Sequence, residues 1–101
     1  MQEELFKTLP DSYIKGIFDV TTVFYFSVGD TKKTLTLDSQ GCHIRDGKPE
    51  VEADCSCATS PAIFNKIWNE GYRPGIMDFM SGKIKSDAPL LLKQFLLAFG
   101  K

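Results

Sequence analysis

The sequence predicts an α+β domain, a mainly antiparallel sheet with helices covering one of its faces. Three observations point to that class. Apolar residues recur at every second position between Phe18 and Val28, and at helical spacing after Ser60-Pro61 and from Leu90 to Phe99. Glycine, proline and aspartate clusters cut the chain into short segments. Their order, helix, strands, two helices, strand and helix, segregates strands from most of the helices, as α+β domains do.

The elements follow in order. Leu5, Phe6 and Leu9 fall at helical spacing behind an acidic first turn, and Pro10 is predicted to limit that helix, with Asp11-Ser12 starting a second turn that carries Tyr13 and Ile14. Phe18, Val20, Thr22, Phe24, Phe26 and Val28 alternate with the other face over a long strand. Val23 and Tyr25 on that second face indicate a central position. Gly29-Asp30 turns the chain into an antiparallel partner, 31–38, with Lys33, Leu35 and Leu37 on one side. Cys42 to Arg45 is a short third strand and Asp46-Gly47-Lys48-Pro49 is turn chemistry. Val51, Ala53, Cys55 and Cys57 share one face of a fourth strand.

Ser60-Pro61 opens a helix, because a Ser oxygen accepts from a free amide at the N-cap and proline fits the first helical position. That helix buries Ile63, Phe64, Ile67 and Trp68, and Gly71 supplies a left-handed end. Pro74 begins a further helical turn with Ile76, Met77, Phe79 and Met80, closed by Gly82. Lys83-Ile84-Lys85 is a brief fifth strand. Asp87 or Ala88 caps the last helix, with Pro89 in its first turn. In that helix Leu91, Leu92, Phe95, Leu96 and Phe99 form one broad stripe, which Leu90 and Leu97 widen beyond what docking on a single surface requires.

At 101 residues, 43% hydrophobic and 25% charged, the chain is read as one domain, 1–101, able to bury a single core. A formal net charge of -1 gives no reason to expect nucleic acid as a partner. Met1-Gln2-Glu3-Glu4 does not look like a secretory signal. Phe99-Gly100-Lys101 is not a peroxisomal address, three cysteines do not read as a disulfide framework, and no apolar run reaches the roughly 20 residues of a membrane span. A cytoplasmic protein is the expectation.

No catalytic, metal or cofactor site is predicted. Cys55-Ser56-Cys57 with Cys42-His43 offers zinc-type donors, yet C-x-C on a strand aims two thiols the same way about 7 Å apart, outside the turn geometry that closes on one ion. His43 is the only histidine and points away from Cys42 on the same strand, which disfavours a Cys-His nucleophile. Glu50, Glu52 and Asp54 read as a solvated sheet face. Asp54 is set apart by its place beside the apolar middle of the strand and is expected to bond to a backbone group, Lys83 or Lys85.

The segments Ala53-Asp54-Cys55-Ser56, Ser60 opening a helix with Phe64 and Ile67 before Gly71, Pro74, and Phe79-Met80-Ser81-Gly82-Lys83-Ile84-Lys85 before a Leu-rich helix together resemble the sterol carrier protein family in its small lipid-binding domain. The resemblance runs from about Pro10 to Phe99, and its most specific piece is Phe-Met-x-Gly-Lys-Ile-Lys. It implies a five-stranded mixed sheet in the order 3-2-1-4-5, in place of a hairpin about Asp46-Gly47, with helices on one face. It also implies a hydrophobic tunnel for fatty acyl chains, sterols or isoprenoid-like lipids, used without covalent chemistry, and transient membrane contact for loading. Here Lys85-Ser86-Asp87 runs almost directly into the last helix, whereas the family usually extends the fifth strand. Apolar periodicity and the family layout together put Phe24, Phe64, Ile67, Met77, Met80, Leu92, Phe95 and Phe99 on the lipid-binding wall. The alternative is a protein interaction or homodimerisation module that uses the apolar last helix and takes no ligand.

Overall fold

The computed structural model describes residues 2–100, with side chains from Phe6 onward, so Leu5 lies outside the described side chains. Four helices, α1 (Gln2–Ser12), α2 (Pro61–Asn69), α3 (Ile76–Met80) and α4 (Pro89–Ala98), accompany five strands, β1 (Thr22–Val28), β2 (Thr31–Leu37), β3 (Cys42–Asp46), β4 (Cys55–Thr59) and β5 (Ile84–Ser86). The sheet order is β3-β2-β1-β4-β5, as the resemblance implied. All neighbours are antiparallel except β1 and β4, which run parallel with Phe24 opposite Cys55 and Phe26 opposite Cys57. Among the described residues no helix is long and apolar enough to cross a membrane.

The period-two pattern decides which face is covered. Phe24, Phe26 and Val28 on β1, Leu35 and Leu37 on β2, and Cys55 and Cys57 on β4 are all buried under the helices. Lys33 shares that inward face and is buried too. Its ammonium pairs with Asp46 on the neighbouring edge strand, which satisfies the charge where the core ends.

Two strands are shorter than their alternation predicts. The first begins at Thr22, opposite the last residue of β2, because no strand lies beside 18–21. Phe18 is still buried, by an edge contact on Phe24 at 5.6 Å. The fourth begins only at Cys55, and Val51 is exposed. Residues 47–54 are instead spent crossing the outer face from edge strand β3 to β4, with β2 and β1 lying between the two. On the way Thr34 Oγ1 donates to the Gly47 carbonyl at 2.7 Å and is buried beneath the crossing. The outer face is therefore not simply the open, polar one. Asp54 ends the crossing on the backbone, its Oδ2 accepting from the Val23 amide and its own amide donating to the Val23 carbonyl, both at 2.8 Å.

The helix ends follow local chemistry. Ser60 Oγ accepts from the Ile63 amide at 3.2 Å, Pro61 occupies the first turn, and Gly71 at φ +70° lets the chain leave α2. Ala88, with no side-chain bond, stands at the N-cap of α4, because the Asp87 carboxylate is already accepting from the Ser56 amide at 2.7 Å. α1 continues through Pro10 to Ser12, further than the proline was predicted to allow. Pro10 sits near the end of the helix with its ring exposed, and Phe6 and Leu9 are fully buried, so packing outweighs the one backbone bond that proline removes. The following segment straps α4 to the body: the Ile14 amide donates to the Ala98 carbonyl at 2.7 Å and Gln94 Nε2 to the Ile17 carbonyl at 3.1 Å.

Candidate functional site

The layer between sheet and helices is a continuous aromatic mass. Phe95 is fully buried at its centre, with ring centroids 5.0 Å from Phe24, 4.8 Å from Phe26, 4.8 Å from Phe99 and 6.1 Å from Trp68. Phe6 stacks on Phe64 at 5.3 Å, and Phe64 on Trp68 at 5.4 Å. The void left inside, lined by Phe26, Cys57, Phe64, Ile67, Leu92 and Phe95 with Thr59, Pro74, Ile84 and Leu96, measures about 10 Å³. That is at the lower limit for one water molecule. Among the described residues this part of the interior is filled by aromatic side chains and does not show the open tunnel that the resemblance implies.

Of the eight residues assigned to the lipid wall, Phe64, Ile67, Leu92 and Phe95 line this void. Phe24 and Phe99 belong to the same buried cluster without bordering the void. Met77 and Met80 do not reach it, being 68% and 74% exposed. α3 is only five residues long and turns Asp78 and Phe79 toward the body, which leaves the two methionines on its outer side. The void's other lining residues are Phe26, Cys57 and Thr59, at alternate positions of β1 and β4, and Pro74, Ile84 and Leu96, from segments that the fold brings together.

A cleft of about 280 Å³ opens on the outside of the same region, lined by Tyr72, Arg73 and Pro74 from the α2–α3 connection and by Lys93, Leu96 and Leu97 from α4. Pro74 and Leu96 border both the cleft and the interior void. The connection that carries Pro74 has no helix or strand of its own. It is pinned through Asp78, whose Oδ2 accepts from the Tyr72 hydroxyl at 2.6 Å and from the Gly75 amide at 2.8 Å. The Tyr72 bond, and after it the Gly75 bond, hold the Asp78 carboxyl below its usual range, and the Tyr72 hydroxyl is pushed up in return.

Of the candidate reactive groups, Cys57 borders the void and the others sit elsewhere. Burial pushes the Cys42 and Cys57 thiols up to about 12, and raises Cys55 as well. Cys55 Sγ lies 3.5 Å from Ser86 Oγ and from the Ala88 carbonyl oxygen. His43 is exposed on β3, its Nε2 4.0 Å from Asp38. Glu50 faces Arg45 at 3.4 Å in the open, Glu52 is exposed, and Asp54 is committed to Val23, so the three acids of the crossing do not converge. Among the described residues no group of three His, Cys, Asp or Glu side chains is placed to hold a metal ion.

No family model and no curated protein matches the chain. Solved structures do. The stereoselective inverting sec-alkylsulfatase Pisa1 from Pseudomonas sp. matches 98% of this chain at 16% identity with a TM-score of 0.81, and a double mutant of that enzyme matches 94% with a TM-score of 0.74. The chain spans 16% of the length of those alkylsulfatase chains. A UbiJ-SCP2 ubiquinone synthesis protein matches over 93% of this chain and 73% of its own at 14% identity, with a TM-score of 0.61. The chain has an SCP2-like fold. Identities this low carry the architecture and leave the chemistry to the site.

Proposed function

We propose that this domain binds lipids non-catalytically, taking a long apolar chain between sheet and helices by way of the cleft beside α4 and carrying it without covalent chemistry. The observation that supports this is the sharing of Pro74 and Leu96 between the outer cleft and the interior void. Displacing the α2–α3 connection would join the two spaces into one apolar path. At roughly 25 cal/mol per Å² of buried apolar surface, an acyl chain in that path gains several kcal/mol with few polar contacts. The ligand class is a fatty acyl, sterol-like or isoprenoid molecule. Ile76, Met77 and Met80, exposed on α3 after Pro74, are apolar side chains suited to transient contact with a membrane during loading. Three unbridged cysteines fit a cytoplasmic setting for such a carrier.

Native mass spectrometry of the purified protein, followed by uptake of a fluorescent fatty acid by delipidated protein, tests this reading. A co-purifying lipid and saturable micromolar uptake are expected; the absence of both sinks it. Trp68 supplies an internal reporter, since it is buried against Phe64, Phe95 and Phe99 beside the void.

A second reading, a ligand-free module that pairs with another copy of itself, rests on a separate observation. Leu90 and Leu97 are 80% and 61% exposed, on the side of α4 opposite Leu92, Phe95 and Ala98. A concentration-dependent dimer in sedimentation, abolished by Leu90→Asp with Leu97→Asp, would favour it.

A further inference from the structure

We propose that the cleft selects amphiphiles with a single anionic head group, a carboxylate or a sulfate, met by Arg73 and Lys93 while the alkyl chain lies against Pro74, Leu96 and Leu97. The proposal rests on the lipid-binding reading and adds a head-group preference that apolar periodicity alone did not call for.

Six residues line the cleft, and the two charged ones are both cations. Both are exposed, and neither has a hydrogen bond or ion pair with any described residue. The carboxylate on the following helix α3, Asp78, is already occupied by the Tyr72 hydroxyl and the Gly75 amide. The remaining walls, the Tyr72 ring, Pro74, Leu96 and Leu97, are apolar. A cleft lined by apolar side chains and by two exposed cations complements a molecule with an apolar chain and an anionic head. A guanidinium fork suits the two oxygens of a carboxylate or sulfate, and the neighbouring ammonium adds charge without demanding geometry.

Two other hollows among the described residues lack this combination. On the outer face of the sheet, a space of about 230 Å³ holds Arg45 and Lys48, but Glu50 lines it as well and pairs with Arg45. Beside β5, Lys83 and Lys85 border a shallow depression whose other walls are Ala58, Thr59, Ser60, Ile63 and Gly82, with one sizeable apolar side chain among them. The whole chain carries a net charge of only -1, so the positive lining of this cleft is a local feature and not a reflection of composition.

The test compares dodecanoate, dodecyl sulfate and dodecanol, at micromolar concentrations that leave the circular dichroism unchanged, on the whole chain and on the double variant Arg73→Met with Lys93→Met. Both substitutions lie on exposed side chains, so the fold is expected to persist. The double variant should bind the two anions about tenfold more weakly, and dodecanol within about twofold of the unsubstituted chain. Raising salt from about 0.05 to 0.5 M should weaken anion binding to the unsubstituted chain and leave dodecanol unaffected. A preference for only one of the anions would narrow the head group and still support the proposal. Equal losses for all three probes, or no loss for the anions, would overturn it and leave lipid binding standing. Failure of the unsubstituted chain to bind any of the three would overturn both. Binding to anionic vesicles alone, with no monomeric amphiphile taken up, would overturn it by assigning the two cations to a membrane surface.

Discussion

Replacing Phe95 with alanine tests whether the layer between sheet and helices is filled or hollow. The ring is fully buried and lies within 4.8 to 5.0 Å, centroid to centroid, of Phe24, Phe26 and Phe99. Truncation removes the buried aromatic surface and its ring contacts, and leaves a cavity that joins the existing 10 Å³ void. Phenylalanine-to-alanine changes in filled cores cost about 3–5 kcal/mol, and a domain of this size loses roughly 4–8 °C of melting temperature per kcal/mol. A total stability of about 5–15 kcal/mol leaves the variant folded but marginal. Urea unfolding followed by Trp68 emission measures the loss, with an unchanged slope against denaturant confirming that the native state is still compact. A loss below about 1.5 kcal/mol would refute the filled interior, because a ring that borders open space has few contacts to forfeit. The new cavity should also raise uptake of a short apolar probe if the lipid path runs through Phe95, as proposed.

Two further predictions concern the frame around the site. Asp46 is held below the usual carboxylate range chiefly by its hydrogen bond with Lys33, and Asp78 chiefly by Tyr72, so each contributes stability that is present above the unfolded aspartate value of about 3.9 and is lost as pH falls through the lower folded value. Melting temperature should therefore be nearly flat from about pH 7 to 5 and fall below about pH 4. Asp46→Asn and Asp78→Asn should each shrink that fall, and an unchanged acid slope in both variants would contradict the assignment. Gly29 has φ +59°, and a β-carbon there would lie 2.9 Å from Pro61 Cγ, so Gly29→Ala should cost about 1–2 kcal/mol or more. Adding Pro61→Ala should recover part of it, whereas strict additivity in the double-variant cycle would show that the contact is irrelevant.

The elements that could be read in advance are those whose pattern is local. Alternation along 18–28 placed Phe24, Phe26 and Val28 on one face, Ser60-Pro61 marked a helix start, and the stripe on the last helix identified Leu92, Phe95 and Phe99 as inward. The same local logic overextended the fourth strand, since Val51 and Ala53 fit its alternation although the chain is still crossing the outer face there. It also assigned Met77 and Met80 to the ligand wall, because a five-residue helix has apolar residues on nearly every side and periodicity cannot tell which side the body will occupy.

Sequence by itself thus determined the class of fold, the inward face of the central strand and the apolar character of the final helix, all of which depend on spacing along one segment. Tertiary structure decided that the void under α4 is nearly filled by described side chains, that Pro74 and Leu96 border both it and an outer cleft, and that Arg73 and Lys93 line that cleft with no partner among the described residues. Those features depend on how volumes from different segments add up and on which charges happen to meet. Neither is encoded at a fixed separation along the chain, so only the assembled molecule reveals them.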